Sequence, residues 1–236
     1  MTARMPKRLY VIGDIHGRAD LLERMIALIT RDIEIAPPDD CLTVTLGDYV
    51  DRGPHSRQVI ECLARNPFPT AFVALKGNHE AMLEEFIADP SVGRIWRNVG
   101  GLETLHSYGV DVAAMMRGQG YEEASKAFRA LLPQDHVKFL DELRMSLTVG
   151  RYFLCHAGVR PGTPLAKQRP DDLLWIRDEF LASDVDFGKI VVHGHSPVRE
   201  PEIRPNRINI DTGAFMTGRL TCAVLETDGC RLLTAS

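Results

Sequence analysis

Five short stretches gather the residues able to hold cations or move protons. They are Gly13-Asp14-Ile15-His16-Gly17, Gly47-Asp48-Tyr49-Val50-Asp51-Arg52-Gly53, Gly77-Asn78-His79-Glu80, His156-Ala157-Gly158 and His193-Gly194-His195-Ser196. Five of the eight histidines sit in them. Carboxylate, imidazole and amide oxygen together suit borderline divalent metals such as Mn²⁺, Fe²⁺ or Zn²⁺. The stretches lack thiolates, which argues against a Cys-type structural zinc site. Glycines flank nearly every stretch and allow tight turns and close backbone approach. Singly, each signal is weak. A D-x-H triplet or an H-G-H is compatible with an ordinary polar turn. Order, glycine flanks and strand context together favour one shared site over five unrelated turns.

Each stretch follows an expected strand. Leu9 to Ile12 is a short apolar run ended by glycine. Leu21, Leu22, Met25, Ile26 and Ile29 then recur at helical spacing, and Pro37-Pro38 stops that helix. Leu42 to Leu46 reads as the second strand, Ser56 to Leu63 as a helix with a serine N-cap, and Phe72 to Leu75 as the third strand. The order β-α-β-α-β favours a sheet that is at least partly parallel. Residues 80–143 read as mostly helical, with Ala81 to Ile87, Ala124 to Leu132 and His136 to Leu143 the clearest pieces. Strands then return. Leu147 to Leu154 reads as a hairpin turning at Gly150, and Ile190 to Val192 and Ile208 to Ile210 as short strands. Thr221 to Leu225 and Cys230 to Leu233 flank Asp228-Gly229, a hairpin signal. The expected fold class is α/β grading into α+β, in one domain over residues 1–236. Ligands in open α/β sheets bind beyond the carboxyl ends of strands, so five such loops can converge.

Composition narrows the class. The chain has 236 residues, 44% of them hydrophobic and 25% charged, which suits a globular domain and not a disordered or rod-like chain. A formal net charge of −4 gives no support for nucleic-acid or membrane binding, which favour basic surfaces. Five widely spaced cysteines without a C-x-x-C argue against a disulfide framework and for a reducing cytoplasm. The N-terminal apolar run is too short for a signal-peptide core, and no stretch approaches a membrane span.

The ordered series G-D-I-H-G, G-D-Y-V-D-R-G, G-N-H-E, H-A-G and H-G-H-S resembles the phosphoprotein phosphatase branch of the calcineurin-like metallophosphoesterases. Within it the chain is similar to the small bacterial and phage members, phage lambda phosphatase among them. The motifs run from Gly13 to about Gly213. The resemblance implies a β-sandwich flanked by helices, with a dinuclear metal centre at the strand ends. It implies that Asp14 and His16 bind the first metal, that Asp48 bridges, and that Asn78, His156 and His195 bind the second. His193 matches a non-ligand position. Mn²⁺ is the favoured cation, with Fe or Zn as alternatives. Two such cations generate a bridging hydroxide that attacks phosphorus in line. By the same resemblance His79, held by Asp51, protonates the leaving alkoxide, and Arg52 clamps the phosphoryl group with Asn78 nearby. Arg177, in Leu174-Trp175-Ile176-Arg177-Asp178-Glu179, resembles a second clamp, though it could equally pair with Asp178 on a solvated face.

The expected activity is therefore a phosphomonoesterase acting on phosphoserine or phosphothreonine in proteins, with phosphotyrosine also accepted. The competing reading is a symmetrical dinucleoside tetraphosphate hydrolase with a small nucleotide substrate. Asp51 weighs against it, because that branch tends to carry alanine there and its leaving group is already a good anion. A phospho-binding scaffold without catalysis would show eroded ligands or a lost acid, and every expected residue is present. Trp96 and Trp175 read as core or rim packing. His55, His106 and His136 read as surface or structural residues, Asp211 as support for the ligand loops, and Cys155 as a candidate for oxidation.

Overall fold

The computed structural model describes residues 2–227 and 229–236. Two mixed sheets lie face to face. Sheet I runs β11-β10-β2-β3-β4, from Gly229–Ala235, Leu220–Glu226, Arg8–Ile12, Cys41–Thr45 and Ala71–Ala74. Its β2, β3 and β4 are parallel, as the alternating order predicts, and β10 closes antiparallel on β2. Sheet II runs β1-β5-β6-β7-β9-β8, from Thr2–Ala3, Ser146–Val149, Tyr152–Cys155, Ile190–His193, Arg207–Asn209 and Glu202–Ile203. The hairpin at Gly150 forms, with β5 antiparallel to β6. β10 and β11 pair antiparallel, but Asp228 of the expected turn lies outside the described residues.

The period-2 alternation of each strand builds two cores at once. Leu9 and Val11 of β2 and Ala223 and Leu225 of β10 pack between the sheets against Leu147, Leu154, Val192 and Ile208. Tyr10 and Ile12 of β2 and Cys222 and Val224 of β10 face the other way, onto helices. Burying one such aliphatic side chain stabilises by ~1.5–3 kcal/mol. The helices over sheet I are α1 (Ala19–Ile35), α2 (Ser56–Ala64) and α3 (Asn78–Ala88). The helical middle follows as α4 (Gly93–Trp96), α5 (Gly101–Ser107), α6 (Ala113–Met116), α7 (Tyr121–Leu131) and α8 (Gln134–Asp141). It adds Trp96, Leu105, Met115, Phe128 and Phe139 to the same core. Over sheet II lie α9 (Pro170–Trp175) and α10 (Asp178–Leu181), while Ala214 of the short α11 (Ala214–Thr217) joins the core on the helical side of sheet I.

One local expectation fails. Ser56 is not the N-cap of α2; His55 holds that position with no side-chain cap, and Ser56 is the first helical residue. Its hydroxyl instead accepts from the Asp51 N–H at 3.1 Å. The serine serves the preceding loop rather than its own helix.

Candidate metal centre

The five loops meet at the carboxyl ends of β2, β3, β4, β6 and β7. Backbone bonds tie them in pairs. The Ile15 and His16 N–H groups both donate to the Asp48 carbonyl, and Gly194 N donates to the His156 carbonyl at 2.8 Å. Five non-glycine residues of the loops take positive φ: His16 at 46°, Asp48 at 53°, Asp51 at 71°, Arg52 at 68° and His195 at 65°. Such conformations cost of order 1 kcal/mol each and persist where surroundings over-determine them.

Asp48 is at the centre. Its Oδ2 lies 3.3 Å from His16 Nε2 and 3.8 Å from His79 Nε2, while its Oδ1 lies 3.4 Å from His156 Nε2. Asn78 Oδ1 lies 2.8 Å from both His156 Nε2 and His195 Nδ1. The far nitrogens set the tautomers. His16 Nδ1 sits 2.9 Å from the Val50 carbonyl and His156 Nδ1 3.1 Å from the Leu46 carbonyl. A carbonyl only accepts, so those nitrogens carry the protons and the Nε2 atoms present lone pairs. Lone pairs of two imidazoles, one carboxylate and one amide oxygen thus face each other in a buried space. Cations placed between them would relieve that repulsion. Two triads, His16-Asp48-His79 and Asp48-His156-His195, bring ligand atoms close enough to hold an ion each. His195 Nε2 is buried without a partner.

Electrostatics agree. Burial, then Asp211 and Asp48, raises the Asp14 carboxyl well above its ordinary range. Burial also favours the neutral form of Asp48, but His156, His79 and His16 outweigh it and hold that carboxyl well below the ordinary range. Burial, then His156, pulls His195 down to about 2, and burial keeps His156 low as well. Neutral imidazole is the form that binds metal. Asp14 itself stands outside both triads, its carboxylate accepting from His195 N at 3.1 Å. The triads thus group His79, not Asp14, with His16 and Asp48.

His79 lies in the first turn of α3, with its Nδ1 2.7 Å from Asp51 Oδ2. Burial lowers the His79 pKa, but Asp48 and the bond to Asp51 reverse the sign and raise it. Arg52 Nη2 lies 3.2 Å from His79 Nε2. Exposed Arg177 reaches Ser196 Oγ at 3.4 Å, beside His195, rather than Asp178. His193 Nδ1 turns to its neighbouring backbone, the Gly194 carbonyl, at 3.1 Å, and its ring stands edge-on to Phe180, away from the triads. Cys155 is buried and burial pushes its thiol up, which withholds the thiolate that oxidation requires.

Several participants escape the sequence reading. Glu80 accepts from four backbone N–H groups, those of Gly77, Asp48, Tyr49 and Val50, and so locks two loops. Burial and Asp48 push its carboxyl up to about 7. Its spacing three residues after the N-cap Gly77 is the legible signal. Trp96 is more than packing: Nε1 donates to Asp51 Oδ2 at 2.7 Å. Thr104 Oγ1 donates to Asp51 Oδ1 at 2.5 Å. The Asn98-Val99-Gly100-Gly101 segment takes part as well. Gly100 has φ 112°, and a Cβ there would lie 2.3 Å from Arg52 N. The two segments touch, with the Arg52 N–H donating to the Gly100 carbonyl at 3.4 Å.

The calcineurin-like phosphoesterase family model matches residues 7–227. The chain belongs to that family. It is 29% identical over 233 residues to the asymmetrical bis(5'-nucleosyl)-tetraphosphatase PrpE of Anoxybacillus flavithermus, covering 89% of this chain and 87% of the relative. It is equally 29% identical over 225 residues to serine/threonine-protein phosphatase 2 of Escherichia coli, covering 91% of each. Its fold matches a cold-active protein tyrosine phosphatase with a TM-score of 0.66 at 16% identity, over 99% of this chain and 77% of the other. The expected sandwich architecture is therefore the observed one, and the chain is a phosphoesterase hydrolase. Among the described residues no helix is long and apolar enough to cross a membrane.

Proposed function

We propose that the chain is a dinuclear-metal phosphomonoesterase of the cytoplasm acting on phosphoserine and phosphothreonine in proteins. The observation that carries this reading is the buried His79–Asp51 pair at 2.7 Å. A serine or threonine alkoxide is a poor leaving group and needs a proton. An imidazole whose far nitrogen is held by a carboxylate, and whose pKa is raised, is suited to give it.

In this reading Asp14, His16 and Asp48 would hold one cation and Asp48, Asn78, His156 and His195 the other, with Mn²⁺ favoured. Two divalent cations there would supply Lewis acidity toward water and phosphate oxygens. The chain's own residues do the rest. Asp48 offers one oxygen to each histidine group, which would lower the repulsion between two cations. Arg52 holds phosphate oxygens with its planar fork, and Arg177 does so from the exposed rim. His79 Nε2 faces Asp48 and Arg52, where a leaving oxygen would need its proton.

A second reading has support from the relatives named as tetraphosphatases. Their asymmetrical cleavage differs from the symmetrical cleavage weighed from sequence. Asymmetric hydrolysis of a tetraphosphate yields a triphosphate and a monophosphate, symmetric hydrolysis two diphosphates. The test offers Mn²⁺-supplemented protein a phosphoserine/phosphothreonine peptide, a phosphotyrosine peptide and a bis(5'-nucleosyl) tetraphosphate, with His79→Asn as control. Inorganic phosphate from the serine/threonine peptide supports the proposal. Selective ATP plus AMP, or ADP, from diadenosine tetraphosphate replaces it.

A further inference from the structure

The Arg52 guanidinium carbon lies 4.6 Å from the ring centroid of Phe215. The same ring stands edge-on to His16, centroids 5.3 Å apart at 79°. His16 in turn meets His79 edge-on at 4.7 Å. Phe215 thus lies beneath the arginine expected to grip phosphate and beside His16, which in turn touches His79.

The ring is not on a loose tip. Phe215 is the second residue of α11, and Gly213, its N-cap, takes φ 64°. Arg18 Nη1 donates to the Ala214 carbonyl at 2.9 Å. Thr217 Oγ1 donates to the Thr212 carbonyl at 2.7 Å, and Asp211 Oδ1 accepts from Gly213 N at 2.9 Å. The backbone on either side of Phe215 is held by side chains of other residues, so the ring has a fixed place.

We propose that Phe215 is a positioning residue for phosphate capture, acting as an aromatic shelf for Arg52. An arginine near a dinuclear centre must be held still without spending its donors. A carboxylate partner would fix it but would neutralise its charge and occupy the fork. An aromatic face attracts the cation through the ring quadrupole and leaves the in-plane N–H groups free. Arg52 rests on such a face and spends one Nη2 N–H on the His79 imidazole, but pairs with no carboxylate among the described residues, so its other N–H groups stay available. The shelf acts on any substrate that presents a phosphoryl group, ester or anhydride. The inference rests on the reading of Arg52 as phosphate clamp and not on which substrate is native.

The test measures binding of inorganic phosphate by calorimetry to Mn²⁺-loaded protein, with metal content determined for each variant. Phe215→Leu keeps apolar bulk and removes the quadrupole; it should weaken phosphate binding ~10-fold, within the range for a partly desolvated cation–π pair. Phe215→Tyr should restore it. In an Arg52→Ala background Phe215→Leu should add nothing, because the shelf has lost its cargo. KM for a phosphomonoester should follow the phosphate affinity while kcat changes less. Full additivity with Arg52→Ala, unchanged binding in Phe215→Leu, or failure of tyrosine to rescue would each overturn the shelf while leaving the clamp. Loss of metal in Phe215→Leu alone would also overturn it, placing the ring in support of His16. Unchanged phosphate affinity in Arg52→Ala would instead remove the clamp itself, and the shelf with it.

Discussion

His79 Nδ1 and Asp51 Oδ2 stand 2.7 Å apart in a pocket where both side chains are nearly or fully excluded from water. Asp51 has no freedom to turn away, since Thr104 takes its other oxygen at 2.5 Å and its own N–H is bonded to Thr104 and Ser56. The Nδ1–H is therefore held on Asp51 with Nε2 turned toward the centre, and the raised pKa favours the imidazolium, which carries a transferable proton on Nε2. If that nitrogen delivers the proton, its removal hurts most where the leaving group is most basic. His79→Asn should lower kcat ~10²–10⁴-fold on an alkyl phosphate and far less on an aryl phosphate. Equal losses on both substrates would exclude proton delivery by His79.

Trp96 tests the same arrangement from behind. Its indole N–H donates to the oxygen of Asp51 that also faces His79. Trp96→Phe removes that donor while keeping an aromatic ring in the core formed with Phe86. The carboxylate then loses one of its restraints, and turnover of alkyl phosphate should fall ~10-fold, the loss of about one hydrogen bond to a charged group. Aryl phosphate turnover should fall less. A uniform drop on both substrates, accompanied by a lower melting temperature, would assign the tryptophan to packing alone.

Asp48 divides its two oxygens between the two histidine groups. Asp48→Asn keeps the shape and removes the charge that offsets two cations. Metal content by mass spectrometry should fall below two ions per chain, with activity falling in parallel. Full occupancy in the variant would remove Asp48 from the bridging role. Chelation should abolish wild-type turnover and Mn²⁺ restore it, and retention of activity after verified metal removal would sink the metal reading as a whole.

What the sequence made legible has a physical pattern. The strands of both sheets carry strict alternation or short apolar runs, so β2, β3 and the hairpin at Gly150 fall close to where the pattern places them. The histidines and acids of the site are legible because their glycine-flanked turns follow those strands. The residues missed act by contact across the fold. Trp96 lies 45 positions from Asp51, and Thr104 lies 53. Phe215 meets Arg52 only because α11 folds back over the first loops. No local spacing records such pairs. Ser56 shows the converse, a residue whose type signals a helix cap while tertiary context recruits it to Asp51.

At the end of the molecule remote from the strand C-termini, Asp32 joins three elements. It accepts from Tyr10 at 2.7 Å, Arg8 at 3.1 Å and Arg231 at 2.6 Å, linking α1 to β2 and β11. Burial alone would raise the Asp32 pKa, but bonds to Arg231 and Tyr10 win and lower it. A carboxylate with a depressed folded pKa stabilises above its unfolded value, near ~3.9, and loses that contribution as pH falls through the folded value. Asp32→Asn should therefore reduce stability at neutral pH by about 1 kcal/mol, a small figure because water still reaches the cluster and screens it. The difference from wild type in chemical denaturation should stay constant from pH 7 to about 5 and shrink below about 4. A gap that persists undiminished in acid would mean that the loss comes from altered packing around Tyr10 rather than from charge.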